Sequence, residues 1–292
     1  MKNKLSLFAV PYVGWMSIFV VAPIIIMVVY AFSTAAGDFT LENFARMGTY
    51  TAVFTRSFKL AIIATLIALL IGYPVSYMLS KEGPQVQRIA MVLIMLPMWM
   101  NFLLRTYSWM SILENNGLLN QLFQQIGLID LYNQIAMHFA SDPAAYVPID
   151  HFQMIGTQGA VVLGMVYNYL PFMILPIYSV IVKLDHRLIE AARDLGADSV
   201  TVFRRVTLPL SLPGVLSGIT MVFVPAVSTF VISRMLGGGS NLLIGDLIEM
   251  QFLGNSYNLN VGSAMSLVLM VIVLLCMSFT SSFDEDEMEG VS

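Results

Sequence analysis

Charge is scarce in this sequence. Asp, Glu, Lys and Arg together make up 11% of the 292 residues, against about 25% in a soluble domain. Hydrophobic residues reach 58%, and the mean hydropathy is +0.79. A water-facing surface cannot be built from so few charges, whereas a lipid-facing one can, so the composition excludes a soluble globular protein. Cysteine is nearly absent. Cys276 alone, inside an apolar run, excludes an internal disulfide, a Cys-type zinc site or an iron–sulfur cluster built from this chain. His138, His151 and His186 form no H-E-x-x-H pair. No G-x-x-x-x-G-K-[ST] loop occurs, so nucleotide hydrolysis through a P-loop is excluded as well. The net charge is −4, but Asp284, Glu285, Asp286, Glu287 and Glu289 carry it. No basic cluster points to nucleic acid.

Long apolar runs fill the space that charge leaves. A spanning helix needs about 20 mainly apolar residues. Residues 5–32, 60–80, 89–113 (interrupted only by Arg105), 159–182, 206–233 and 261–283 meet that need. The runs are too continuous for barrel strands, which alternate over about 10 residues. Backbone groups in lipid must pair internally, so the runs are predicted to be helices. The fold class is therefore all-α integral membrane, with six transmembrane helices. The first apolar run is too long for the core of a cleaved signal peptide and is read as an uncleaved helix. Prolines 11, 23, 97, 171, 176, 209, 213 and 225 lie in or beside these runs. They mark either kinks buried against neighbours or a cavity, or kinks that are merely tolerated.

Lys and Arg set the orientation. Lys2, Lys4, Lys81, Arg88, Lys183, Arg187, Arg193, Arg204 and Arg205 fall on one side. Arg46, Arg56, Lys59, Arg105 and Arg234 fall on the other. The excess places both termini in the cytoplasm. Residues 114–158 hold no Lys or Arg and are expected outside. There, residues 117–146 carry Leu118, Leu122, Ile126 and Ile129 at helical spacing, which suits a short helix on the outer face. Residues 237–240 read as a flexible Gly-rich turn. Residues 242–253 are too short to span and are expected to form a surface or re-entrant helix. The like charges of the acidic end favour a solvated, irregular tail.

The segment between the fourth and fifth runs is the most specific. Leu188, Ile189, Ala192 and Leu195 share one helical face, while Arg187, Glu190, Arg193 and Asp194 lie largely on the others. Gly196 follows the last periodic residue, where a left-handed C-cap favours glycine. Asp198 or Ser199 can cap a second helix carrying Arg204 and Arg205, and Pro209 opens the next span. The result is a helix–turn–helix with an apolar stripe, suited to a groove on a partner.

Glu190-Ala191-Ala192, then Gly196 four residues on, then Val206-x-Leu208-Pro209, resembles the EAA motif of ABC-importer permeases, with Val206 in place of the commoner isoleucine. The resemblance extends over nearly the whole chain. Tyr73-Pro74, Leu96-Pro97 with Asn101 and Arg105, Tyr167 with residues 170–173, residues 241–245 and residues 251–253 are similar to the first permease subunit of the spermidine/putrescine importers. Relatives tend to end in basic residues, where this chain is acidic.

The resemblance implies the type I ABC-importer permease (MetI-like) fold in a bacterial inner membrane. It divides the chain into a first helix and outer loop (1–56), a five-helix core (57–283) with the coupling loop at 183–209, and the acidic cytoplasmic tail (284–292). It implies a sister permease, an ATPase homodimer, an extracellular polyamine-binding protein and a polyamine substrate. No cofactor is implied in this chain, since ATP and Mg belong to the ATPase, and the chain itself is not an enzyme. Glu190, Ala191, Ala192, Gly196, Leu208 and Pro209 are the implied ATPase-coupling positions.

A path for a flexible cation would use acceptors and aromatic faces, each cation–π contact being worth about 0.5–2 kcal/mol. Asn101, Tyr107, Trp109, Tyr167, Asn168, Tyr169 and Phe230 are candidates, although Tyr and Trp also serve as interfacial belts. Arg105 has two readings. One is a structural or gating charge paired with Asp246 or Glu249, and the other is a side chain that snorkels to the interface. The excess of acids in the outer segments would suit a cationic substrate, but avoidance of Lys and Arg outside also produces it. The alternatives are the same architecture importing iron(III), thiamine or a phosphonate, and a membrane enzyme. The enzyme is disfavoured because the spans contain no Asp, Glu or His.

Overall fold

The computed structural model describes residues 11–139, 146–254 and 257–289. Lys2 and Lys4, on which the first span's orientation partly rests, lie outside them. The described residues form helices and turns, with a single isolated bridge between Ser33 and Phe39. Four helices are long and apolar enough to cross a membrane without interruption. These are α1 (Pro11–Ala31), α2 (Thr51–Ser80, reached through a continuous lead-in from Glu42), α7 (Gln158–Ile181) and α13, which runs from Leu259 to Glu289 and is apolar through Ser278.

The two remaining spans are bent pairs. Helix α3 (Pro84–Trp99) meets the stretch Phe102–Gln125, which opens with α4 (Phe102–Leu113), at 90°, and α9 (Ser199–Leu210) meets α10 (Leu212–Ser228) at 60°. The third apolar run is therefore not one straight helix through 113. Met100 is extended, and Asn101 turns the chain by accepting the amides of Leu103 and Leu104 at 2.8 and 3.4 Å. A side-chain acceptor there satisfies the orphan amides of a new helix, which makes a break inside apolar sequence inexpensive. The fifth run also ends early. Helix α10 stops at Ser228, Thr229 is extended, and α11 (Val231–Leu236) is a separate short helix.

Helices α2, α7 and α10 form the core, and small residues set how closely they approach. Ala61, Ala64 and Ala68 are fully buried on α2. A Cβ at Gly72 would lie 2.9 Å from Met173 Cγ on α7. On α10, Gly214 and Gly218 are four apart, and a Cβ on them would meet Pro176 O at 2.9 Å and Met173 Sδ at 2.8 Å. Lipid tails are as apolar as leucine, so helix association in a bilayer relies on such close contact. Ser76 Oγ donates across the α2–α7 contact to Ile174 O at 3.0 Å.

Helix α1 is peripheral. It packs on α13 and leaves most of its surface exposed. Its C-terminal carbonyls are satisfied by two asparagines. Asn43 Nδ2 donates to Ala31 O at 3.0 Å, and Asn260 Nδ2 donates to Tyr30 O at 3.0 Å and Ser33 O at 2.7 Å.

The segment after α4 holds two helices rather than one, α5 (Leu118–Gln125) and α6 (Leu128–Phe139), divided at Gly127, which has φ +71°. The short helix expected at 242–253 is α12 (Ile244–Leu253). It packs inward, with Ile244, Gly245, Asp246, Leu247 and Gln251 buried. The acidic end is not irregular before residue 290, because α13 continues to Glu289. A long preceding helix removes the nucleation cost, and Glu and Met propagate it readily.

Candidate functional site

Helix α8 (His186–Asp194) and the start of α9 carry the EAA segment. Asp185 caps α8 by accepting the Arg187 amide at 2.9 Å. The C-terminal end closes by a paired hydrogen-bond pattern. The Ala197 amide donates to Ala192 O at 3.1 Å, and the Gly196 amide donates to Arg193 O at 2.8 Å. Gly196 has φ +84°, the left-handed conformation that this closure requires and glycine adopts freely. Asp198 then caps α9 through the Thr201 amide at 3.1 Å. The Thr201 hydroxyl and amide hold the Asp198 carboxyl below the usual range. The expected helix–turn–helix is present, with its turn at the expected glycine.

The apolar stripe of α8 is only partly covered by the other described residues, with Ile189 half-buried. Leu195 is 90% exposed and Leu188 half-exposed, while Glu190 and Ala191 are exposed and Ala192 is half-buried. Between the two helices lies a concavity of about 620 Å³, bounded by Ala192, Leu195, Gly196, Arg205 and Val206 among others.

The loop is joined to the core through aromatics. Phe203 packs edge-on against Tyr73 and Tyr77 of α2, with centroids 5.8 and 5.0 Å away. Lys81 Nζ sits 3.9 Å above the Tyr77 ring. Tyr73 Oη and Ser211 Oγ are 2.8 Å apart, at the bend between α9 and α10. Residues Phe203–Thr207 form one π-helical turn, a feature that is frequent at functional sites. Leu208 and Pro209 follow it and are exposed. Motion of α8 therefore has a packed route into α2 and α10.

The residues predicted for a path do not form one cluster. Trp109 and Tyr167 stack edge-on at 5.3 Å and line a groove of about 710 Å³ with Lys59, Ile63, Ile67 and Leu170. Asn168 and Tyr169 are buried. Asn168 Nδ2 donates to Gly164 O at 2.9 Å, and Tyr169 Oη donates to Pro225 O at 3.4 Å. Asn101 acts as a helix cap, and Tyr107 and Phe230 are exposed.

Arg105 is 8% exposed, so it does not snorkel, and it pairs with neither Asp246 nor Glu249. Arg234 takes both carboxylates instead. Its Nη1 donates to Glu249 Oε1 at 3.0 Å, its Nη2 contacts Glu249 Oε2, and its Nε lies 3.7 Å from Asp246 Oδ1. The reason is geometric: Arg234 sits at the end of α11, directly across a tight turn from α12. The Arg234 guanidinium holds the Glu249 carboxyl below its usual range, and burial pushes Asp246 up. In the sequence Arg234 reads only as an outer base. Its sole signal there is a lone cation shortly before two acids spaced three apart.

The family model of the binding-protein-dependent transport system inner membrane component matches residues 68–284. The chain belongs to this family of inner membrane transport components. The spermidine/putrescine transport system permease protein PotB of Haemophilus influenzae is 37% identical over 94% of this chain and 92% of its own. PotB of Escherichia coli K12 is 36% identical over 90% and 92%. Among solved structures, a chain of a bacterial ABC transporter involved in the import of alginate superposes with a TM-score of 0.75 at 16% identity, covering 96% of both chains. A chain of the MetNI methionine transporter gives a TM-score of 0.55 at 16% identity, covering 82% of this chain and 96% of its own. These two likenesses concern the fold alone, and the permease shares it almost end to end with the alginate transporter chain.

Proposed function

We propose that this permease is the first membrane subunit of an ABC importer for spermidine and putrescine. The observation that carries the reading is identity of 36–37% over at least nine-tenths of the chain to permeases named for that transport. The exposed EAA loop supports the energetic half of the reading. Its apolar face and small alanines fit a cleft on an ATPase, which is a separate chain because no P-loop occurs here. A sister permease completes the membrane pore, an extracellular binding protein delivers the polyamine, and Mg and ATP sit on the ATPase dimer. Glu190, Ala191, Ala192 and Gly196 make the contact, with Leu208 and Pro209 passing it to the bend at Ser211.

Closure of the ATPase dimer on ATP pulls α8, and the Phe203–Tyr73–Tyr77 contact carries that pull into α2. The bundle then alternates between two packed states, biased by whichever ligand is bound. Both termini lie in the cytoplasm in this reading, supported by the excess of Lys and Arg on that side. The test is uptake of labelled spermidine and putrescine by cells expressing the whole operon with and without this chain. Uptake of both that depends on the chain is expected. Dependence confined to iron(III), thiamine or a phosphonate contradicts the polyamine reading and leaves the architecture intact.

A further inference from the structure

The ion-pair group at the α11–α12 turn has an unusual division of labour. The turn is held in place without Arg234. Asn241 Nδ2 donates to Gly156 O at 2.7 Å, Arg56 Nη1 donates to Ser240 O at 2.9 Å, and the Ile244 amide donates to Ser57 Oγ at 2.8 Å. Asp246 is fully buried, and its Oδ2 is satisfied by the Ser233 hydroxyl and by the Leu243 amide at 2.9 Å. Its Oδ1 has no hydrogen-bond partner among the described residues. The cation that approaches that atom is Arg234 Nε, at 3.7 Å, too far for a hydrogen bond. The Arg234 side chain is itself 45% exposed, and that of Glu249 27%. A buried acceptor left open beneath a half-exposed cation is a costly arrangement for a purely structural ion pair.

We propose that Arg234 is a tethered stand-in for the substrate cation, covering the Asp246–Glu249 acceptor pair until a primary ammonium displaces it. The inference rests on the polyamine reading above and names the specificity-determining group within it. A guanidinium is planar and fixes itself two-pronged on Glu249, whereas a primary ammonium is compact and turns three donors freely. The ammonium can therefore reach both Glu249 and the open Asp246 Oδ1. Phe230 is the N-cap residue of α11, one turn before Arg234, whose amide donates to the Phe230 carbonyl at 3.0 Å. Its side chain is exposed. That ring offers an aromatic surface for the alkyl chain or a second charge. Displacing Arg234 frees its side chain while the turn keeps its other anchors. Arrival of the substrate is thereby registered without unfolding the turn.

The test is equilibrium binding of labelled spermidine to the purified permease–ATPase complex, prepared without the binding protein. Arg234→Gln removes the competitor and should tighten binding by about 2–5-fold, the range that an exposed ion pair supports. Arg234→Lys keeps a cation and should stay near the wild type. Glu249→Gln should weaken binding by about tenfold, as expected for loss of a charged acceptor. The exchange Arg234→Glu with Glu249→Arg preserves an ion pair but moves the acceptor, and should not restore wild-type binding. A simple structural latch behaves differently: both single variants weaken binding alike and the exchange restores it. Either of those results overturns the proposal, as does absence of binding by the wild type and Arg234→Gln together. Chain-dependent uptake by the complete transporter is a separate readout, so failure of this inference and failure of the polyamine reading are told apart.

Discussion

The EAA loop and the α11–α12 turn are both polar elements joined to an apolar bundle, yet they are built by opposite means. The hydrogen bonds that shape the loop are local: Asp185 to Arg187, Ala197 to Ala192, Asp198 to Thr201. Its outward face is left free, with Leu195 almost fully exposed. The turn is fixed from afar, by Gly156, Arg56 and Ser57, and its charges point at one another. A surface that must bind and release a partner needs a self-sufficient scaffold. A surface that must hold a shape against the helix bundle can borrow its scaffold from neighbours.

The link between loop and bundle is where this contrast breaks most forcefully. Phe203→Ala removes the ring between Tyr73 and Tyr77. The loop keeps its local caps and so keeps its shape, but loses its route into α2. Uptake is expected to fall at least about tenfold, equivalent to about 1.4 kcal/mol, while ATP hydrolysis by the assembled complex persists. Parallel loss of both activities would show that the ring is needed for assembly instead.

Asp246→Ala is next in size. It strips the acceptor from the Leu243 amide and leaves the Ser233 hydroxyl only the Phe230 carbonyl at 3.0 Å, which costs about 1–3 kcal/mol, so the melting temperature of the purified complex should drop. Asp198→Ala removes an N-cap from the loop. Its effect on that melting transition should be small, because the cap is exposed and its contacts are local. Hydrogen exchange at Thr201 reads the loss directly and should quicken.

The same cap sets a pH expectation. The Asp198 carboxyl is held below its usual range in the folded chain, so its contribution is fully present above the unfolded value. It is lost as pH falls through the lower folded value. The protection factor of Thr201 should be flat from about pH 8 to about pH 5, and a decline within that window contradicts the capping geometry. Deletion of residues 284–292 is expected to have the smallest effect, leaving assembly and uptake nearly unchanged. A large change on deletion would give the acidic end a role that neither region of the comparison supplies.

The same contrast explains what is legible in the sequence. The Asp198 cap of the loop, its turn at Gly196 and its apolar stripe follow from residue types a few positions apart, and the structure places them as expected. The spans are legible as apolar runs, but their breaks are less so. Asn101 reads as a path residue inside an apolar run, yet Pro97 followed four residues later by a capping asparagine is an ordinary helix stop and start. The pairing expected for Arg105 fails because contact between distant helices leaves no periodic trace. Arg234 and Glu249 are 15 residues apart across a turn, and they meet because α12 packs against Ser57 and Thr229 and the turn is anchored to Gly156 and Arg56.

In the proposed mechanism, ATP hydrolysis on a partner chain drives polyamine movement through the EAA loop. The most direct test is spermidine uptake together with ATP hydrolysis by the reconstituted complex carrying Gly196→Pro. Proline fixes φ near −65°, which the +84° of Gly196 cannot accommodate, so the loop cannot close. The expected result is a subunit inserted at normal abundance in a complex with neither transport nor transport-linked hydrolysis. Normal uptake at normal abundance would contradict the mechanism.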